Sequence, residues 1–185
     1  MGSIIFSTTM SLDGYTADSS GNFDFAAPDV EVHAFVNDRQ REIGTYVFGR
    51  RMYETMRAWE TLPDADEDSE VVADFAGIWR ATEKVVVSST LDDVTTARTR
   101  LVRSFDPDAI RDLARASATT VCIGGPTLAA EAFRAGIIDE VHLYIAPVSV
   151  GGRTPALPRD HVVSLELLDE HRFAGGTVYV RYRVV

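Results

Sequence analysis

VCIGGPTLAAEAF, residues 121–133, sets a short apolar run against two adjacent glycines, Gly124 and Gly125, and then a helix-like pattern that opens with Pro126 and Thr127. The apolar run reads as a buried strand. Proline is tolerated near a helix start, so Pro126 to Ala135 reads as a helix, with Gly136 as its C-terminal stop. A strand that passes straight into a helix is the repeating step of an α/β sheet. Two glycines at that step mean that something approaches the backbone closely, because neither carries a side chain to keep it away.

The same step recurs along the chain. Ile4 to Met10 reads as a first strand, broken by the turn chemistry of SLDG (11–14). A polar, glycine-containing loop follows to about Pro28, long enough to be functional. Val30 to Ile43 carries apolar residues at helical spacing, with Asp29 as its cap and Gly44 as its end. Tyr46 to Phe48 is a second strand ending at Gly49, and Arg50 to Ala58 is helical. PDADEDSE (63–70) reads as a solvated acidic loop leading into a helix from Val71 to Ala81. Lys84 to Val87 is a third strand, and Thr99 to Val102 a short one. A helix spans Pro107 to Ala116, and strands span Thr120 to Ile123 and Val141 to Val148. Leu165 to Phe173 and Thr177 to Val185 form a closing antiparallel hairpin, turning near Gly175 and Gly176. The alternation predicts a three-layer α/β/α fold, a mostly parallel central sheet closed by the C-terminal hairpin, and one domain over residues 1–185.

Composition narrows the function. With 45% hydrophobic and 25% charged residues among 185, the chain has a globular composition and a full core. A net charge of −10 argues against a general grip on nucleic acid. Lys84 is the sole lysine, so anion recognition falls to arginines, backbone amides and hydroxyls. The single cysteine, Cys122, sits in an apolar run and reads as a core residue, with no pair for a disulfide or metal. No signal-peptide pattern and no membrane-spanning run appear, which points to a cytoplasmic protein.

In open α/β sheets, ligands bind beyond the carboxyl ends of the strands. Three junctions fall on that edge: Gly49 with Arg50 and Arg51, the hydroxyl run Ser88, Ser89 and Thr90, and Gly124, Gly125, Pro126 and Thr127. Together they describe an extended, phosphate-bearing ligand across the edge, held without a GxGxxG fingerprint. No HExxH, CxxC or GxSxG occurs, and the four histidines are scattered, His142 inside a strand. That absence suits a reaction whose hard step belongs to a cofactor.

These segments, SLDG, EVHAFVND, GTYVFGRRMYETM, VVVSST, IGGPTLAAEAF and IDEVHLYIAPVSVGGRTP, resemble in order and spacing the dihydrofolate reductase-like superfamily. The match is to the branch related to the C-terminal reductase domain of bacterial riboflavin biosynthesis. The resemblance implies NADPH as hydride donor, a small heterocyclic substrate and a homodimer. It assigns Gly49, Arg50 and Arg51 to a phosphate and ribose site, and Ser88, Ser89 and Thr90 to the adenosine ribose and its 2′-phosphate. Gly124 to Thr127 fall under the pyrophosphate, joined by a cis Gly–Gly bond. Asp13 and Gly14 open a mobile loop over the nicotinamide, and Gly151 and Gly152 form the turn before the hairpin.

Three departures shape the expectation. Asp29 and Glu31 flank, without matching, the carboxylate that holds a pterin in the classical enzymes. Phe25 stands at a common tryptophan. Arg153 and Leu157 stand where relatives carry a smaller residue and phenylalanine. The expected activity is therefore hydride transfer to a C=N or C=O of a pteridine-, pyrimidine- or flavin-like ring, with Asp13, Asp29 and Glu31 as candidate proton donors. The alternative is a nucleotide- or drug-binding sensor on the same fold, without turnover.

Overall fold

The computed structural model describes residues 2–62 and 70–185. The acidic stretch 63–69 lies outside the described residues. In chain order the elements are β1 (Ile4–Ser11), β2 (Tyr15–Ala17), α1 (Val30–Gln40), β3 (Ile43–Gly49), α2 (Arg50–Met56), α3 (Glu70–Ala81), β4 (Glu83–Val87), β5 (Thr99–Val102) and α4 (Pro107–Ala116). There follow β6 (Thr120–Gly124), α5 (Pro126–Arg134), β7 (Glu140–Ala146), β8 (Thr154–Pro155), β9 (Leu165–Arg172) and β10 (Val178–Val184). Local chemistry sets the helix starts. The Asp29 carboxylate accepts from Val32 N at 2.9 Å, and Asp106 accepts from Asp108 N at 3.0 Å just ahead of Pro107.

Eight strands form one sheet in the order β5-β4-β3-β6-β1-β7-β10-β9. From β5 to β7 every pairing is parallel, while β10 runs antiparallel to both β7 and β9. Side chains alternate across the strands, so each face needs its own cover. Ile4 and Phe6 pack with Ile110 and Ala114 of α4 and with Leu128, Ala132 and Phe133 of α5. On the other face, Ile5, Tyr46 and Phe48 pack with Tyr53 of α2 and with Phe75 and Trp79 of α3, while Val32 of α1 packs on Tyr144 and Tyr179. The result is the expected three-layer arrangement. No helix among the described residues is long and apolar enough to cross a membrane.

Two expectations change. The first helix stops at Gln40, and both Ile43 and Gly44 belong to β3. Gly44 ends nothing; a Cβ there would lie 1.8 Å from Thr119 Oγ1, so the glycine lets β3 pass against the loop before β6. The long loop after β1 also holds an unforeseen strand, β2, which pairs with β8. Together with the Leu12 N to Val148 O bond of 2.7 Å, that pairing ties the first half of the loop to the 148–155 segment.

Candidate functional site

Parallel pairing brings the carboxyl ends of the strands to one edge. Gly49 stands opposite Val87, Phe48 opposite Gly124, and Val87 opposite Val102. The three junctions read from the sequence therefore meet on that edge. Arg50 Nη1 donates to Thr90 Oγ1 at 3.1 Å, and its Nε pairs with Glu54 at 2.8 Å. Ser88 is buried and accepts from Leu91 N at 3.0 Å, which shapes the turn that leaves Ser89 and Thr90 exposed. Arg51 and Thr127 are exposed at the starts of α2 and α5. Arg103 joins them: its guanidinium donates to the carbonyls of Ser88 and Leu91, holding the hydroxyl turn in place. Sequence reading missed Arg103. Nothing local marked it, because its place depends on the parallel pairing of β5 with β4, which delivers the residue after Val102 beside Ser88.

The glycine pair departs from expectation. No cis peptide bond occurs among the described residues, so Gly124–Gly125 is trans. The chain turns instead at Gly125, whose φ of 91° lies where side-chain-bearing residues are strained. Gly124 is needed for a separate reason: a Cβ there would fall 2.4 Å from Phe48 Cε1. At Gly125 a Cβ would meet that of Met52 at 3.2 Å, so the first and third junctions touch. What approaches these glycines closely is the protein's own Phe48 ring and the α2 helix.

Beside this edge, on the face covered by α1, α2 and α3, a cleft encloses about 240 Å³. Its floor comes from β1, β6 and β7 through Ser7, Thr9, Cys122 and Tyr144. Its walls include Phe48, Met52, Met56, Trp59 and Phe75. From α1 come His33, Val36 and Gln40, spaced i, i+3 and i+7 on one face of that helix. Gln40 Oε1 accepts from Tyr46 OH at 2.9 Å. His33 packs edge-on to Trp59 and beside Phe75, with ring centroids at 6.0 Å in both cases. Burial lowers its pKa, opposed by the nearby Asp74 carboxylate. Burial also pushes the Cys122 thiol up to about 12, so it stays protonated. Tyr144 is 3% exposed, and its hydroxyl has no hydrogen-bond partner. Neither His33 nor Tyr144 was singled out from the sequence. The α1 spacing was a readable signal for His33; nothing local marked Tyr144.

The three candidate carboxylates stand elsewhere, each in a structural bond. Asp13 accepts from Val150 N at 3.1 Å and Gly151 N at 2.8 Å. Hydrogen bonds from the Ser11 hydroxyl and the Gly151 amide hold its carboxyl well below the usual range. Asp29 caps α1, and Glu31 accepts from Ala174 N at 3.0 Å in the C-terminal hairpin turn. None of the three lines the cleft.

Comparison with known proteins agrees with this architecture. Residues 3–180 match the family described as the RibD C-terminal domain. The uncharacterised protein YyaP of Bacillus subtilis (strain 168) is 22% identical over 183 residues, covering 97% of this chain and 93% of YyaP. A solved structure from Shewanella sp. PV-4, named for riboflavin biosynthesis, superposes with a TM-score of 0.74 at 21% identity, covering 100% of this chain and 99% of that one. Dihydrofolate reductase from Enterococcus faecalis, solved with NADP(H) and RAB-propyl, superposes with a TM-score of 0.61 at 16% identity, covering 99% of this chain and 96% of that one. A match over nearly the full length, on a sheet with this strand order, settles the family: the chain belongs to the RibD C-terminal domain family, on a dihydrofolate reductase-like fold.

Proposed function

We propose that the protein is an NADPH-dependent reductase that transfers hydride to a C=N or C=O of a small pteridine-, pyrimidine- or flavin-like ring. The observation that carries this reading is one strand edge that joins a basic, hydroxyl-rich turn to an uncharged cleft. Arg50, Arg103, Ser89 and Thr90 suit the 2′-phosphate end of NADPH, because guanidinium groups and hydroxyls are phosphate's ordinary partners. In this reading Arg51 and Thr127, exposed at the starts of α2 and α5, would hold the rest of the cofactor together with Gly49 and Gly124 to Pro126 at the same strand ends. The family and the NADP(H)-bound dihydrofolate reductase on the same fold support the assignment.

NADPH, when bound, supplies the hydride. The chain's own part would be to orient the substrate in the cleft toward the cofactor and to exclude water, and orientation of this kind is worth on the order of 7 kcal/mol of barrier. Asp13 pins the loop after β1 to the 150–151 turn, Asp29 caps α1, and Glu31 ties α1 to the hairpin turn. In this reading they shape the rim of the cleft. His33, the cleft residue whose ordinary pKa is nearest neutrality, passes the proton. His33→Gln is expected to abolish the acid-dependent limb of the pH–rate profile for NADPH oxidation. An unchanged profile would remove His33 from the proton path.

Thermal stability tests cofactor binding directly. At ~100 times its dissociation constant, NADPH should add about 2.7 kcal/mol to unfolding. Arg103→Ala and Arg50→Ala should each weaken the NADPH shift while leaving a smaller NADH shift nearly unchanged. If neither nucleotide raises the melting temperature, the reductase reading falls.

The absence of a carboxylate from the described cleft lining also fits a nucleotide-binding protein without turnover. Loss of nicotinamide absorbance on adding candidate heterocycles separates the two. A homodimer belongs to the same proposal, and light scattering coupled to size exclusion measures it.

A further inference from the structure

We propose that the cleft selects an uncharged, unphosphorylated planar heterocycle, one polar atom of which pairs with the Tyr144 hydroxyl. This rests on the reductase reading for the neighbouring cofactor, though the pocket and its test stand on their own residues.

Two independent observations carry it. The first is charge. Among the described residues that line the cleft there is no lysine, arginine, aspartate or glutamate. The described arginines of the strand edge, Arg50, Arg51 and Arg103, are not part of the lining either. A phosphate brought among Met52, Met56, Trp59 and Phe75 would lose its hydration without gaining a fixed cation, because burial lowers the pKa of His33 and keeps its imidazole neutral at neutral pH except while it passes the proton. A cationic ring would find no carboxylate there. An uncharged ring loses little, and the aromatic and thioether walls suit its flat faces.

The second is the orphan hydroxyl. Four tyrosines are buried: Tyr46, Tyr53, Tyr144 and Tyr179. Tyr46 donates to Gln40, Tyr53 OH accepts from Thr95 N at 2.9 Å, and Tyr179 OH pairs with His142 Nδ1 at 3.1 Å. Tyr144 alone of the four is unpaired, and it is one of the residues that line the cleft. Buried tyrosine hydroxyls normally find partners. Asn37 Oδ1, the other buried side-chain atom without a partner among the described residues, belongs to a residue outside the cleft lining. Burial raises the Tyr144 phenol above its ordinary pKa, so a ligand meets a neutral O–H that can donate or accept.

The test uses lumichrome, an uncharged tricycle at neutral pH, and flavin mononucleotide, a related tricycle carrying a phosphate on its side chain. Binding of each is followed by fluorescence, with the oxidised cofactor NADP⁺ present and absent, in the wild type and in Tyr144→Phe. Lumichrome is expected to bind at least about tenfold more tightly than flavin mononucleotide. Tyr144→Phe should weaken lumichrome about fivefold, the equivalent of one net hydrogen bond, without lowering the melting temperature of the free protein. That pairing of effects distinguishes a ligand-facing hydroxyl from a structural one. Equal or tighter binding of flavin mononucleotide, no lumichrome binding, or a lumichrome affinity untouched by Tyr144→Phe overturns the proposal. If NADPH raises the melting temperature and these results still fail, only the proposal on the cleft falls. If NADPH does nothing and lumichrome behaves as stated, the reductase reading falls instead.

Discussion

Replacing Lys84 by methionine is expected to lower the melting temperature by roughly 5–15 °C, although the two side chains are similar in length. Lys84 is the sole lysine of the chain and is 1% exposed. Its ammonium donates to Trp79 O at 2.7 Å and Thr82 O at 2.8 Å, and lies 4.6 Å from the centre of the Trp79 ring. These carbonyls belong to the end of α3 and the turn after it, where helical carbonyls lack intrahelical partners and a cation complements the dipole. Methionine fills the space but donates nothing. Leaving the two buried carbonyls unpaired costs about 1–3 kcal/mol each, and removing the buried charge offsets part of that sum, so a net loss of about 2–4 kcal/mol is expected.

The pH dependence of that difference reports what burial of the ammonium charge costs. Burial pulls the pKa of Lys84 down to about 8 from the ordinary 10.5. Between those values the unfolded chain binds a proton that the folded chain has released. Stability of the wild type therefore rises with pH in that window, by up to about 1.4 kcal/mol per pH unit. The Lys84→Met protein lacks this gain, so the gap between the two should widen from pH 8 toward 9.5. Buried tyrosines act in the opposite sense at still higher pH, but equally in both proteins. A gap that stays constant across the window would show that Lys84 keeps its ordinary pKa and that its charge is not strained.

Periodicity made the sheet and its helical layers legible, because alternation and helical spacing are local properties of the chain. The Asp29 cap was legible for the same reason. Gly44 was misread because its meaning depends on Thr119, distant in sequence and adjacent only once β3 and β6 pair. The basic edge was half legible. Gly49, Arg50 and Ser88 to Thr90 stand at strand ends that the sequence reveals, whereas Arg103 needs the β4–β5 register. The cleft was the least legible part. Its lining is drawn from most of the layers on one face, and Tyr144 becomes notable only when every other buried tyrosine is seen to be paired. The carboxylates were conspicuous as acids near a helix start and a turn, and the structure shows that each holds a backbone amide.

Gly124→Ala is expected to destabilise the fold by about 1–3 kcal/mol, and the size of the loss should depend on Phe48. The added methyl would sit 2.4 Å from Cε1 and 2.6 Å from Cδ1 of that ring, far inside contact distance. The ring cannot step aside freely. It stacks on Tyr46 at 5.3 Å and on Trp79 at 5.8 Å between centroids, and Phe48 is 3% exposed. Phe48→Leu alone leaves a partial void and also destabilises, in the manner of large-to-small core changes. In the double variant the alanine methyl occupies space that the ring has left, so the two losses should fall short of their sum by at least about 0.5 kcal/mol. Denaturant unfolding of the four proteins measures that coupling. Strict additivity would mean that Phe48 is not what requires a glycine at 124. Gly125→Ala provides the contrast, because its strain comes mainly from a φ of 91° in its own backbone. Phe48→Leu should give it no relief, and a similar coupling at both glycines would show that the strand end shifts as a unit when either one is substituted.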